Sequence, residues 1–245
     1  DGMGIAGVAI SPEGDKVAGI AGFDPLIIAY RTADYGEIGR YEGSAGSINI
    51  AYSADGRYLV AIDSNDQFLI FDAATMNLLS QAQLPVVFAE GLVASSSAAY
   101  FFSQGNGESM LYKVDLAAAT LTGEVIAFPS IQMPSYLALL PDETIIGAGM
   151  TNDGTQLKIW DADLNELVAF QPDYWEIEYA DGAFVYMLPR FVEGVMVYGY
   201  FRADSLESSP VLVGDDECLL VEFATAADLS FSVGTRFRCA MTLFN

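Results

Sequence analysis

The chain has 245 residues with 33 acidic and 10 basic side chains, a formal net charge of −23 at pH 7, and a nucleic-acid partner is not expected because phosphate backbones require clustered Lys and Arg. Histidine is absent, which removes the commonest general base, the commonest metal ligand and every histidine-centred triad. Hydrophobic residues make up 52% of the chain, but no run approaches the roughly 18 apolar residues of a membrane-spanning helix, so membrane insertion is not expected.

The first predicted elements are two β-hairpins with nearly the same sequence pattern. Ser-Pro-Glu-Gly-Asp at 11–15 and Ser-Ala-Asp-Gly-Arg at 53–57 each stand between two apolar runs. Glycine accepts positive φ without steric cost, so both segments are predicted to be tight turns. Ser11 and Ser53 lie 42 positions apart. Weaker copies of the turn follow at 94–97, 140–143 and 179–182.

A second feature keeps the same period along the chain. An alternating strand that ends in a large residue is followed by a charged residue and a short turn. The charged positions are Arg31, Asp72, Asp115, Asp161 and Arg202, at steps of 41, 43, 46 and 41. Two markers with one period near 42 residues predict a repeat of four short strands, as in a β-propeller.

Two segments carry a resemblance to known repeat families. Leu-Lys-Ile-Trp-Asp at 157–161 resembles the Trp-Asp ending of a WD repeat, and the 11–15 turn resembles that of YVTN-type and WD propellers. The resemblance covers roughly residues 5–210. Only one unit has a true Trp-Asp pair, and the Gly-His element of WD repeats is missing, so the YVTN-type families are the closer relation.

The sequence therefore predicts an all-β fold, a β-propeller of six blades with five as the alternative. Each blade is expected to be a four-stranded antiparallel sheet, and the last blade is expected to be irregular because the pattern loosens from Val211 onward. Blades bury their faces only against neighbouring blades, so one domain over residues 1–245 is predicted.

The two cysteines, Cys218 and Cys239, both lie in the last segment. As a disulfide they would stabilise the last blade by roughly 3 kcal/mol in the chain-entropy model; two buried free thiols are the alternative. The start of the sequence has no basic, apolar signal segment, so an exported protein would be present in its mature form. The expected location is extracytoplasmic: secreted, periplasmic or at the cell surface.

The candidate ligand site is Asp173-Tyr174-Trp175-Glu176. Aromatic rings beside carboxylates can stack on a sugar or hold a cationic group. The alternative is an ordinary strand, since alternation would place Trp175 in the core and Tyr174 and Glu176 on the opposite side.

Calcium is considered at oxygen-rich loops, mainly Asp63, Asn65 and Asp66, although Asp and Asn are ordinary turn residues. No other metal or cofactor is expected. Two carboxylates can hydrolyse glycosides without histidine, but no residue pair marks a catalytic site.

The sequence leaves enzymatic activity open and favours a non-enzymatic binding or assembly module within a larger complex. A mean hydropathy of +0.32 leaves apolar side chains for the surface, which favours a protein partner or self-assembly. The acidic balance indicates either a cationic partner or simple solubility. A glycan-processing enzyme or a lectin-like glycan-binding propeller is the alternative.

Overall fold

The computed structural model describes residues 5–21, 26–43, 47–84, 89–105, 108–128, 131–140, 142–151, 154–170, 176–180, 183–192, 195–203, 211–216, 220–225, 232–236 and 242–244. Side-chain packing is described for most residues of these ranges up to residue 169.

The described residues form β-strands that are grouped into consecutive sheets, and no helix occurs among them. Sheet 1 contains β1 (Ile5–Ile10), β2 (Lys16–Ala21), β3 (Leu26–Arg31) and β4 (Glu37–Glu42). Sheet 2 contains β5 (Ser47–Tyr52), β6 (Tyr58–Asp63), β7 (Gln67–Asp72) and β8 (Leu78–Gln83). Sheet 3 contains β9 (Ala89–Ala94), β10 (Ala98–Gly105), β11 (Glu108–Asp115) and β12 (Thr120–Phe128).

The later sheets follow the same order. Sheet 4 contains β13 (Ile131–Leu139), β14 (Ile145–Thr151), β15 (Gly154–Trp160) and β16 (Glu166–Phe170). Sheet 5 contains β17 (Glu176–Ala180), β18 (Ala183–Val192), β19 (Val195–Ala203) and β20 (Val211–Asp216). Sheet 6 contains three described strands, β21 (Leu220–Thr225), β22 (Ser232–Arg236) and β23 (Thr242–Phe244).

Every sheet pairs its strands in chain order, so each is an antiparallel meander. The first strands of neighbouring sheets lie side by side: β1 beside β5, β5 beside β9 and β9 beside β13. A parallel bridge joins Ser53 to Ala94 between sheets 2 and 3. The first strand of each of these sheets is therefore innermost, and β4, β8, β12 and β16 are the outer strands.

The core lies between the sheets rather than inside any one of them. In β6, Leu59 and Ala61 pack towards sheet 1, while Val60 and Ile62 pack towards sheet 3. Both faces of this strand are covered, which explains why its sequence is continuously apolar instead of alternating. The outer strand β4 has no fully buried residue, so burial decreases from the middle strands towards the outer edge.

In each of sheets 2, 3 and 4, one turn residue with positive φ packs against the sheet that precedes it in the chain. Met76, Ala119 and Leu164 occupy the left-handed position of the turn between the third and fourth strands, with φ of 59°, 51° and 67°. They are 5%, 5% and 7% exposed and belong to the cores between sheets. We call them the turn knobs.

Two turn knobs pack where the preceding sheet has a glycine in its outer strand. A β-carbon at Gly39 of β4 would lie 2.8 Å from the Met76 Cβ, and one at Gly123 of β12 would lie 3.3 Å from the Leu164 Cδ1. Tyr35 holds the same position in sheet 1, with φ of 55°, but it is 83% exposed. The same local turn therefore buries a side chain against the preceding sheet in sheets 2, 3 and 4, whereas in sheet 1 it leaves Tyr35 exposed.

The predicted all-β class, the four-stranded antiparallel units and the hairpins at 11–15 and 53–57 are confirmed. Gly14 and Gly56 both have φ of 68°, as the turns require.

The chain divides into two compact units, Asp1–Asp153 with Lys158–Ala169 and Gly154–Leu157 with Phe170–Asn245. The single domain and the number of blades stay predictions. Cys218 and Cys239 lie outside the described residues, so the disulfide also stays a prediction.

Candidate interaction face

The hairpin turn of sheet 1 is held by a serine and an aspartate. Ser11 Oγ donates a hydrogen bond of 2.7 Å to Asp15 Oδ1 and accepts one of 2.9 Å from the Lys16 backbone N–H. The Gly14 N–H donates to the Ser11 carbonyl at 2.8 Å. Lys16 Nζ pairs with Asp15 Oδ2 at 2.8 Å, so the one cation of this turn is neutralised locally.

The hairpin turn of sheet 2 repeats this arrangement with its own residues. Ser53 Oγ donates to Asp55 Oδ1 at 2.7 Å and accepts from the Tyr58 N–H at 2.9 Å. The Arg57 guanidinium pairs with the Asp55 carboxylate. The Ser-x-x-Gly pattern in the sequence thus encodes a rigid polar turn.

The turns are also linked from sheet to sheet. Arg57 Nη2 donates to the Ser96 carbonyl of sheet 3 at 3.5 Å, and Ser96 Oγ donates to Glu143 Oε1 of sheet 4 at 3.4 Å. Lys113 Nζ of sheet 3 donates to the Ala162 carbonyl of sheet 4 at 2.7 Å. These contacts link turns of sheets 2, 3 and 4. Together with the equivalent turns of sheet 1 they form a polar surface, which we call the turn face.

The charged residues predicted at the ends of the third strands are turn caps. Asp72 Oδ1 accepts from the Thr75 N–H at 2.9 Å and from Thr75 Oγ1 at 2.8 Å. Asp161 Oδ1 accepts from the Asn165 N–H at 2.9 Å, and Asp161 Oδ2 accepts from Asn165 Nδ2 at 2.9 Å. The periodic carboxylates therefore satisfy backbone donors, in the manner of Asx turns.

Negative charge dominates the turn face. We define this face by the turns 11–16, 31–36, 53–57, 72–77, 95–97, 115–119, 142–144 and 161–165. These turns carry three basic residues, Lys16, Arg31 and Arg57, and ten acidic residues: Glu13, Asp15, Asp34, Asp55, Asp72, Asp115, Asp142, Glu143, Asp161 and Asp163.

Every one of the three cations pairs with a carboxylate of its own turn. Lys113 reaches in from β11 and pairs with Asp163 at 3.3 Å. Most of the acidic residues of the turn face therefore have no ion-pair partner among the described residues.

Hydrogen bonds favour the ionised form of three carboxylates of the turn face. The Lys16 ammonium, followed by the Ser11 hydroxyl, lowers the pKa of Asp15. The Arg31 guanidinium lowers the pKa of Asp34 in the same way. The side chain and then the backbone N–H of Asn165 lower the pKa of Asp161. These groups keep their charge well into the acidic range.

We expect Asp161→Asn to lower the urea midpoint of unfolding at pH 7, because a neutral amide is a weaker acceptor for the Asn165 donors. A lowered folded-state pKa means that the carboxylate contributes fully above its ordinary pKa of 3.8, and that this contribution is lost as the pH falls through the folded value. The difference between the two proteins should therefore be complete at pH 7 and shrink below pH 3.8.

The measurement is a series of urea unfolding curves between pH 7 and the acid range. Asp163→Asn is the matched control, because it removes one charge from the same turn and keeps the bonds to Asp161. Its ion pair with Lys113 is solvent-exposed and contributes little to stability. A difference for Asp161→Asn that stays constant across the series would contradict the role of the charged form.

The predicted ligand site lies largely outside the described residues. Asp173, Tyr174 and Trp175 are among the residues not described, and Glu176 begins β17, where its backbone is opposite Met187. The structure does not test the ligand-binding role, which stays a prediction.

The calcium candidates form the turn between β6 and β7. Asp63 is 1% exposed, and its Oδ1 accepts from the backbone N–H groups of Asn65 and Gln67 at 2.9 Å each. Asp66 has φ of 58° and donates its N–H to the Asp63 carbonyl at 3.0 Å. Asp63 therefore serves as a turn cap, and the described part of the chain holds no group of three or more His, Cys, Asp or Glu arranged for a metal ion.

The turn face as a continuous surface was not predicted from the sequence. Its turns were predicted one by one, but the links through Arg57, Ser96 and Glu143 join segments up to 47 residues apart. The available signal was the excess of Asp and Glu in successive turns of a repeat whose equivalent turns must lie at the same end of the sheets.

A membrane-crossing helix is not found within the described ranges.

Comparison with known proteins places the chain by its fold. No family model matches the sequence, and no curated protein matches it. The WD40 repeats of RRP9 superpose with a TM-score of 0.71 at 14% identity, covering 96% of this chain and 87% of theirs. The structure of U3-55K gives 0.72 at 14% identity, over 96% and 88% of the two chains.

A third similar structure is the β-propeller domain of Cps50 (Swd1) from Myceliophteria thermophila. It has a TM-score of 0.73 at 11% identity, with 99% of this chain and 83% of that chain covered. The four-stranded meanders, their adjacent first strands and these superpositions agree, and the chain has the β-propeller fold of WD40 structures.

Proposed function

We propose that this chain is a non-enzymatic protein-binding or assembly propeller that acts outside the cytoplasm and uses the turn face to contact a cationic partner. The similar WD40 structures support a protein-binding or scaffold propeller in general terms. The observation that carries the choice of surface is the pairing of the cations. Each cation is neutralised by a carboxylate of its own turn, and six of the ten acidic residues of the turn face have no ion-pair partner among the described residues.

A surface of this kind suits recognition because its shape is fixed before binding. Hydrogen bonds between sheets hold turns of sheets 2, 3 and 4 in place, so little ordering is needed there when a partner arrives. Unpaired negative charge steers a basic partner towards the face and raises the association rate, and this effect weakens with salt.

The pKa shifts of three turn-face carboxylates argue against their acting as catalytic acids. Glycoside hydrolysis by two carboxyl groups needs one of them to stay protonated near neutral pH, which requires a raised pKa. On the turn face, hydrogen bonds lower the pKa of Asp15, Asp34 and Asp161. These groups are therefore poor proton donors, and Asp15 and Asp34 already hold the cations of their own turns.

The test compares two charge-reversal variants with the same net charge. The turn-face variant carries Glu13→Lys and Asp163→Lys, and the control carries Glu42→Lys and Glu108→Lys, which lie at the other ends of β4 and β11. The probe is a fluorescent peptide of alternating Lys and Ser, and its affinity is measured by anisotropy at several salt concentrations. The turn-face variant should lose most of the salt-dependent binding, whereas the control should keep it.

Equal loss in both variants would mean that net charge alone attracts the peptide, and the turn face would be rejected as the site. Hydrolysis of a glycoside panel by the unmodified protein would reject the non-enzymatic role. Fractionation of the native source tests the location, and titration of Cys218 and Cys239 in denaturant tests the disulfide on which the extracytoplasmic proposal rests.

A further inference from the structure

The outer strand of sheet 3 differs from the other outer strands in length. β12 has nine residues, whereas β4 and β8 have six and β16 has five. It stands last in the order of its sheet, so its outer edge pairs with no strand in the described part of the chain. A long free edge offers a row of backbone donors and acceptors to an incoming strand.

The outer strands differ in the side chains that they expose. In β4, Glu37 and Arg40 form an ion pair in a strand of six residues, and charge along an edge discourages strand addition. β8 has no charged residue and exposes Leu78 and Leu79, but it has only six residues. The exposed side chains of β12 are mostly uncharged: Thr120, Thr122, Glu124 and Ile126.

The inner side of β12 is firmly anchored, which fixes its edge. Ala127 and Phe128 are fully buried in the core between sheets 3 and 4. Opposite Glu124, the Tyr112 ring stacks on Phe101 with the ring centres 5.4 Å apart. An edge that is already ordered costs a partner less entropy on binding.

The regular part of the edge is short and defines where a partner strand would pair. β11 and β12 are in register at four consecutive positions, Gly123 to Ile126, with an irregularity on either side. Bulges twist a strand locally and interrupt pairing. The centre of docking is therefore Glu124 and Ile126, and Ile126 is 45% exposed.

Charge selects the kind of partner. The chain has a net charge of −23, so a second copy would bring a strongly acidic surface against Glu124 and be repelled. All six cations whose side chains are described are already paired with carboxylates of this chain, namely Lys16, Arg31, Arg40, Arg57, Lys113 and Lys158. A complementary strand must therefore bring its own positive charge.

We infer that an extended, cationic segment of a partner protein adds to β12 as a fifth strand of sheet 3, with a Lys or Arg beside Glu124 and an apolar side chain beside Ile126. Backbone hydrogen bonds would supply the affinity, and the two neighbouring side chains would supply the specificity. This inference rests on the proposed protein-binding function but uses a surface other than the turn face.

The experiment uses a nine-residue acetylated peptide of alternating Thr and Val with a central Lys. Binding is measured by anisotropy, and protection of the backbone N–H groups of residues 120–128 is measured by hydrogen exchange. We expect protection of these residues, and about a tenfold loss of affinity in Glu124→Lys because an attractive cross-strand pair becomes repulsive. Ile126→Lys should weaken binding as well.

Two controls separate strand addition from general attraction. Glu42→Lys makes the same charge change in the exposed outer strand β4 and should leave the affinity unchanged. The same peptide with N-methyl groups on alternate residues keeps the charge but loses hydrogen-bond donors, so it should not protect residues 120–128.

Equal binding by the methylated peptide, or no protection of residues 120–128, would overturn this inference. If binding is then lost in the Glu13→Lys, Asp163→Lys variant, the turn face stands and only the strand addition fails. Concentration-dependent self-association that is abolished by Ile126→Lys would make a second copy the occupant of the edge and would overturn the choice of a cationic partner.

Discussion

Replacing Trp160 by Ala is expected to lower the free energy of unfolding by about 3–5 kcal/mol. Trp160 is fully buried at the end of β15, where its ring lies 6.3 Å from that of Phe102 and 6.0 Å from that of Phe128. The substitution would empty the centre of the core between sheets 3 and 4. Urea unfolding followed by far-UV circular dichroism measures the loss.

Trp160→Phe distinguishes ring packing from hydrogen bonding. The Trp160 indole N–H has no hydrogen-bond partner among the described residues, so phenylalanine removes a buried polar group that is unsatisfied. It should cost about 1 kcal/mol, since an aromatic ring remains and only part of the volume is lost. A loss as large as that of Trp160→Ala would show that the indole nitrogen makes a stabilising bond.

The position of Trp160 shows what a repeat resemblance can predict. The Trp-Asp ending correctly indicated the last residues of a third strand and the turn after it. It could not indicate what surrounds the indole. The Gly-His element of a WD repeat is missing, since the chain contains no histidine, and the packing of the indole depends on residues distant in sequence. A β-carbon at Gly147 would lie 2.8 Å from the Trp160 ring, and this requirement for glycine has no local signature in the sequence.

Some features of the turns also follow from the local sequence, whereas others depend on residues distant in sequence. Gly14 and Gly56 were predictable because the residue type itself permits positive φ. Met76, Ala119 and Leu164 adopt positive φ without being Gly or Asn, and exposed Tyr35 does the same. The local turn therefore sets this conformation, whereas the burial of the three side chains depends on residues of the preceding sheet. The same holds for the turn face, where the acidic composition was visible and the links between sheets were not.

Leu164→Ala is the second substitution with a large expected effect, about 2–5 kcal/mol of lost stability. Leu164 is 7% exposed, belongs to the core between sheets 3 and 4 and lies against Gly123 of β12. Alanine keeps the left-handed turn but withdraws the side chain from the preceding sheet. The cost should therefore reflect the lost contacts and the cavity rather than a change in the backbone. Urea unfolding measures it.

Tyr35→Ala is the matched control, since Tyr35 has the same turn position and positive φ but is 83% exposed. It should change the free energy of unfolding by no more than about 0.5 kcal/mol, as for other surface substitutions. Similar losses in the two variants would mean that the cost comes from placing alanine at this turn position and not from the burial of Leu164. A large loss only for Leu164→Ala would establish the turn knob as an attachment between neighbouring sheets.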